Sequence, residues 1–238
     1  MSSIREQIIT AIVSRLSIVR QANGFETDCG EHVFRCRRRI DPDSELDAIV
    51  VWPKPEAGER VYGTVKNVMP VQVEGIAAFG GNDPSEVAEQ VLADLIEALT
   101  GVTWTLPYTG GGTYEVSAGD TVEGADSGAT ALVQAVSVST GAWATGDAAG
   151  NLTLRRLSGT FEGENLNVGA ETNVATTTGT VTSQDAETVA AGGLASDIEY
   201  AGGGTEEYPD EGETTVGCPA LFNVTYEIAA GNPYEQPA

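Results

Sequence analysis

The chain reads as α+β, with two helices packed on a mostly antiparallel sheet and a small all-β domain inserted. Three observations lead there. Two segments combine an N-capping pattern with apolar residues at helical spacing. Several runs alternate apolar and polar residues as half-buried strands do. A glycine-rich hexad also occurs twice, Tyr108-Thr-Gly-Gly-Gly-Thr113 and Tyr200-Ala-Gly-Gly-Gly-Thr205, 200 − 108 = 92 residues apart.

The elements follow in order. Ser3 and Glu6 have capping-box spacing, and Ile4, Ile8, Ile12, Leu16 and Val19 form one stripe, which predicts a helix over about residues 3–20. Val33 to Ile40 predicts a strand with Arg35, Arg37 and Arg39 on one face. Leu46 to Trp52 predicts a buried strand ended by Pro53 and Pro55, and residues 60–78 a third, long one. Asp83-Pro84-Ser85-Glu86 opens a second helix: a cap, proline at the first helical position, and glutamate three after the cap. Val87, Val91, Leu92, Leu95, Ile96 and Leu99 give its buried face, and Gly101 its stop. Residues 102–108 and 214–230 supply the last strands of this domain.

Composition shifts between the two hexads. Residues 109–200 hold 15 Gly and 15 Thr and no Lys, His, Cys or Pro. A module inserted at a glycine turn explains both the shift and the repeat, since exposed turns tolerate insertions. The expected division is therefore 1–108 plus 201–238 for the host and 109–200 for the insert. Short runs such as Thr130–Val138 and Asn151–Leu154, broken by Gly, Ser and Asn, mark the insert as a small sandwich or barrel. Trp143 is its candidate anchor if the insert binds a carbohydrate or other surface.

Charge narrows the function classes. The chain has 12 basic and 35 acidic residues, a net charge of −23. Residues 1–66 hold ten of each; residues 67–238 hold Arg155 and Arg156 against 25 acids. Tight binding to a nucleic-acid backbone needs clustered Lys and Arg and is not expected. The one basic strip, Arg35 to Arg39, faces a broadly acidic remainder, which suits contact with copies of itself or with acidic partners. Three cysteines in 238 residues are no disulfide scaffold and fit a reducing compartment. Neither a signal peptide nor a membrane span is expected.

Catalytic and metal motifs are sparse. The chain has one histidine, no Gly-x-Ser-x-Gly elbow, no phosphate-binding Gly-x4-Gly-Lys-Ser/Thr loop and no dinucleotide fingerprint. Cys29-x2-His32-x3-Cys36 has zinc-compatible donors but no adjacent fourth ligand, so neither a metal nor an enzyme is expected.

Scattered short motifs then carry a resemblance. They are Ile4-Arg-Glu-Gln-Ile-Ile9, Thr27-Asp28-Cys29-Gly30, Val33-Phe34-Arg35, a Val-Val-Trp strand, the second capped helix, Glu207-Tyr208-Pro209, and Gly231-Asn232-Pro233-Tyr234. In these the host domain resembles the tail terminator proteins of long-tailed bacteriophages and related minor tail proteins. The resemblance implies a structural virion protein, assembled in the bacterial host cytoplasm, that forms a hexameric ring. Such a ring caps the tail tube, ends its polymerisation and meets the head–tail connector, while DNA passes through the lumen without specific binding. It implies no catalysis and no cofactor. Arg35, Arg37 and Arg39 are the expected partner-binding residues. The alternatives are another neck or minor tail protein, or a binding module carried by the insert.

Overall fold

The structure is a computed structural model that describes residues 2–112, 114–205 and 207–237. In chain order the elements are α1 (Ile4–Leu16), β1 (His32–Arg35), β2 (Ala48–Pro53), β3 (Ala57–Val61), β4 (Thr64–Ala78) and α2 (Pro84–Thr100). There follow β5 (Thr103–Gly111), β6 (Thr121–Gly124), β7 (Thr130–Thr140), β8 (Ala148–Ser158), β9 (Asn165–Val168), β10 (Glu171–Thr177) and β11 (Thr182–Gln184). The chain ends with α3 (Ala186–Ala191), β12 (Asp197–Gly203) and β13 (Thr215–Ala229).

This overturns the expected fold class. The protein is mostly β, 44% strand and 19% helix, with three helices and two sheets of six and seven strands among the described residues. The second sheet is no small decoration on a helical host. The Gly/Thr-rich segment looked thin because few of its residues are large, yet its strands pair almost end to end.

The chain divides into two compact units. The first comprises residues up to Arg20, Phe25–Gly101 and the chain from Ala186 on; the second comprises Gln21–Gly24 and Val102–Asp185. The second unit therefore covers 102–185 rather than 109–200. The two hexads do not flank one turn. Tyr108 to Gly111 lie in β5 of the second unit, Tyr200 to Gly203 in β12 of the first, and Thr113 lies outside the described residues.

In the first unit the strand order is β1-β2-β4-β13-β12, with β3 also on β4. β4 and β13 pair antiparallel over 15 residues, from Thr64↔Ala229 to Ala78↔Thr215. Residues 60–78, expected as one strand, are instead a hairpin turning at Tyr62-Gly63, both at positive φ. The main face of β4 buries Met69, Val71 and Val73 against the helices, with Phe222 and Val224 of β13 and Ile8, Ile12, Val91 and Leu95 of α1 and α2. Gly75 on this face permits the close approach of α2: a Cβ there would lie 2.3 Å from a Val91 methyl. Ser3 accepts from the Glu6 N–H and Asp83 from the Ser85 N–H, so both helices start at the expected caps.

In the second unit the order is β10-β9-β6-β7-β8-β5-β11, all antiparallel, and β10 also pairs β5. That pairing closes six strands into a barrel, which removes most open edges. Its core holds Leu106, Tyr108, Val133, Leu152, Leu154, Phe161 and Leu166. Residues 102–108, expected in the first sheet, form β5 here instead, paired with β8 through Trp104↔Leu154 and Leu106↔Leu152.

A buried carboxylate pins one barrel corner. Glu164, 4% exposed, accepts from the N–H groups of Glu162, Asp126 and Ser127 at 3.0, 2.7 and 2.8 Å, and from the Ser127 hydroxyl. Burial pushes its pKa up, but these hydrogen bonds outweigh it and hold it at about 2. The folded value is below the ordinary 4.5, so the stabilisation is complete above about 4.5 and is lost as pH falls toward 2. Glu164→Gln is expected to destabilise the second unit by about 2–3 kcal/mol at pH 7 and to flatten that acid dependence. Urea melts followed by the fluorescence of Trp104 and Trp143 measure both.

Candidate interaction surface

The helices cover one face of the first sheet, and the other face carries the features of interest. On β4 that face presents Gln72, Glu74 and Ile76, alternating with the core residues; on β2 it carries buried Val50 and half-buried Trp52, and on β13 Pro219 and Leu221. β1 and β2 are parallel, so the chain must cross between their ends. Residues 36–47 make that crossing, and they hold the arginine run.

The run is not a strand face. β1 ends at Arg35, and Cys36 takes a positive φ of 51°, which breaks the alternation. The letters Arg-x-Arg-x-Arg keep period two, but the backbone leaves the sheet. Arg35 donates to both carboxylate oxygens of Glu6, the longer contact at 3.0 Å. That pair, led by its hydrogen bonds, lowers the Glu6 pKa. Glu6 therefore serves Arg35 as well as standing at the capping-box position. Arg37 meets Glu45 at 2.7 Å, donates to the Arg39 carbonyl at 3.1 Å, and lies 4.3 Å over the Phe34 ring. Arg38 and Arg39 are exposed, and among the described residues neither has an ion-pair partner. Two of the expected partner-binding residues, Arg35 and Arg37, are thus engaged within the chain; Arg39 is available, and Arg38 joins it.

The crossing borders a groove of about 440 Å3, lined by Arg37 to Arg39 together with Leu46, Val50, Trp52, Glu74 and Ile76. The apolar part comes from the β2 and β4 positions that alternate with the core and from Ile40, Pro42 and Leu46 of the crossing. Period-two reading of Val50, Trp52 and Ile76 could have found it; continuing the arginine strand past Cys36 hid it.

An acidic segment lies between β12 and β13. Glu207, Asp210, Glu211 and Glu213 are exposed, with Tyr208 48% exposed among them. Asp210 and Glu213 tie it internally: the Asp210 N–H donates to the Glu213 carboxylate at 2.9 Å, and the Glu213 N–H donates to the Asp210 carbonyl at 3.1 Å.

The other candidates come apart. Trp143 is 7% exposed and stacks on Tyr108 with centroids 5.1 Å apart, so it fills the barrel core and cannot present a platform to a sugar. Gly111 makes room for it, since a Cβ there would meet the indole at 2.4 Å. Cys29 is buried and its thiol is pushed up to about 12, chiefly by burial, while Cys36 is exposed. Among the described residues no three His, Cys, Asp or Glu side chains gather as metal ligands. His32 stacks on Phe34, and its Nδ1 lies 3.4 Å from the Asp47 carbonyl oxygen. No helix of the described residues is long and apolar enough to cross a membrane.

No protein-family model matches the chain, and no curated protein matches it either.

Proposed function

We propose that this chain is a structural virion protein that assembles with copies of itself into a ring, caps a phage tail tube and joins it to the head connector. The motifs between Ile4 and Tyr234 that resemble tail terminators motivate the reading. The observation that carries it is the sheet face away from the helices: a groove with half-buried Leu46, Trp52 and Ile76 in its lining, flanked by two arginines that have no carboxylate partner among the described residues, in a chain of net charge −23. Such a surface suits protein contact, because apolar area supplies affinity while unpaired charge sets orientation and encounter rate. The proposed role needs no catalytic residue or cofactor, and an acidic ring would pass DNA without holding it.

Light scattering on the purified protein, combined with tube-length measurement, tests this. A discrete oligomer near six subunits is expected, together with shorter, capped tubes when it is added to polymerising tube protein. A protein that stays monomeric at high concentration and leaves tube length unchanged would sink the reading.

A further inference from the structure

We infer that the groove beside Arg38 and Arg39 receives the acidic segment Glu207–Glu213 of a second copy of this chain. The inference rests on the ring-forming reading and names its contact.

Charge makes the first argument. Of the four arginines at 35–39, two are neutralised inside the chain by Glu6 and Glu45, and two are not. The acidic segment presents Glu207, Asp210, Glu211 and Glu213, and among the described residues no Lys, Arg or His forms an ion pair with them. Guanidinium and carboxylate pair well because the planar fork matches two oxygens.

Surface chemistry makes the second. The groove is amphipathic, with Trp52, Val50, Ile76 and Leu46 beside the cations. The segment matches it by placing exposed Tyr208 and half-buried Pro209 between Glu207 and Asp210. An aromatic anchor in an apolar groove with charges at the rim is the usual anatomy of a protein contact.

Polarity makes the third. Glu74 lines both the arginine groove and a neighbouring hollow shared with Glu207. That end of the face is already acidic, so an incoming carboxylate is driven toward Arg38 and Arg39. Within one chain the segment leaves both arginines without an ion pair among the described residues, and a neighbour's segment is placed to supply the acids. Groove and segment adjoin, both bordering Thr215, and a one-way contact from one chain's segment to the next chain's groove repeats head to tail, closing a ring when the rotation allows.

Two charge-reversed chains test this: Arg38→Glu with Arg39→Glu, and Asp210→Arg with Glu211→Arg. Both alter exposed loops, and circular dichroism checks that each folds; the neutral pairs Arg38→Gln/Arg39→Gln and Asp210→Asn/Glu211→Gln repeat the test with less perturbation. Each reversed chain alone is expected to associate at least about tenfold more weakly than the wild type. Mixed one to one, they are expected to recover the wild-type oligomer mass, because each groove then finds a segment of opposite sign on the other chain. A mixture that stays dissociated overturns the inference. So does an acid-reversed chain that assembles normally while the arginine-reversed chain does not, which would assign the groove to a different acidic partner. If the wild type forms its ring and neither reversal matters, this contact fails while the ring-forming reading stands. A wild type that never associates removes both.

Discussion

A chain lacking residues 102–185, with Gly101 joined to Ala186 through a short Gly-Ser linker, is expected to fold and unfold as one cooperative unit. The two cores share no residue. The first draws on Ile4 to Cys29, Ile49 to Leu99 and Ala190 to Tyr226, and the second lies wholly between Leu106 and Ala175. Excision therefore takes no residue from the first core, and Gln21–Gly24 is left without the rest of its unit. Joining Gly110 to Gly202, the seam suggested by the paired hexads, has the opposite outcome. It deletes α3 and most of β12, taking Ala190, Ala191, Ile198 and Tyr200 from the core. It also leaves Thr103 to Gly110 as a strand without β8 or β10. Loss of Ile198 alone costs on the order of 2 kcal/mol. The whole set is comparable with the ~5–15 kcal/mol that hold an ordinary domain together. Urea denaturation and size-exclusion chromatography of the two deletions decide it: a sharp transition for the first and aggregation for the second are expected. A first deletion that melts without cooperativity would show that the units depend on each other.

Asp94→Ala is expected to destabilise the first unit by roughly 3–5 kcal/mol. Asp94 sits on α2, 1% exposed. Its carboxylate accepts from the Glu26 N–H at 3.0 Å, the Thr27 N–H at 2.8 Å and the Thr27 hydroxyl at 2.7 Å. It thereby ties the segment leading into β1 to the second helix, and truncation leaves three donors without an acceptor. Burial pushes its pKa above the ordinary 3.8, against those hydrogen bonds. Folding at this site therefore takes up a proton. The contribution is most favourable at acid pH and weakens as pH rises from 3.8 through the raised value. Asp94→Asn, which cannot ionise, is expected to cost less and to remove that slope. Equilibrium urea melts at pH 4 and pH 7 give both quantities, and an Asp94→Ala protein as stable as the wild type would refute the clamp.

The sequence by itself determined the local pieces. Ser3 and Asp83 start α1 and α2, Pro84 sits where a missing N–H costs nothing, and Gly101 ends the second helix. β13 spans Thr215–Ala229, within a residue of the 214–230 expected for that strand. These signals are carried by neighbours along the chain, so capping and periodicity reveal them. Only the tertiary structure decided what each piece pairs with. Alternation shows which residues of Thr103–Gly111 share a face, but not that the strand joins the barrel rather than the first sheet, because strand partners are non-local. The repeated hexad pointed to one seam, yet its copies serve different sheets. The arginine run shows the same limit. Its lettering keeps strand period through Arg39, but Cys36 turns the backbone, and distant Glu6 and neighbouring Glu45 decide which guanidiniums are neutralised. Whether a charge is free for a partner depends on the carboxylate the fold brings beside it, and residue spacing carries no record of that contact.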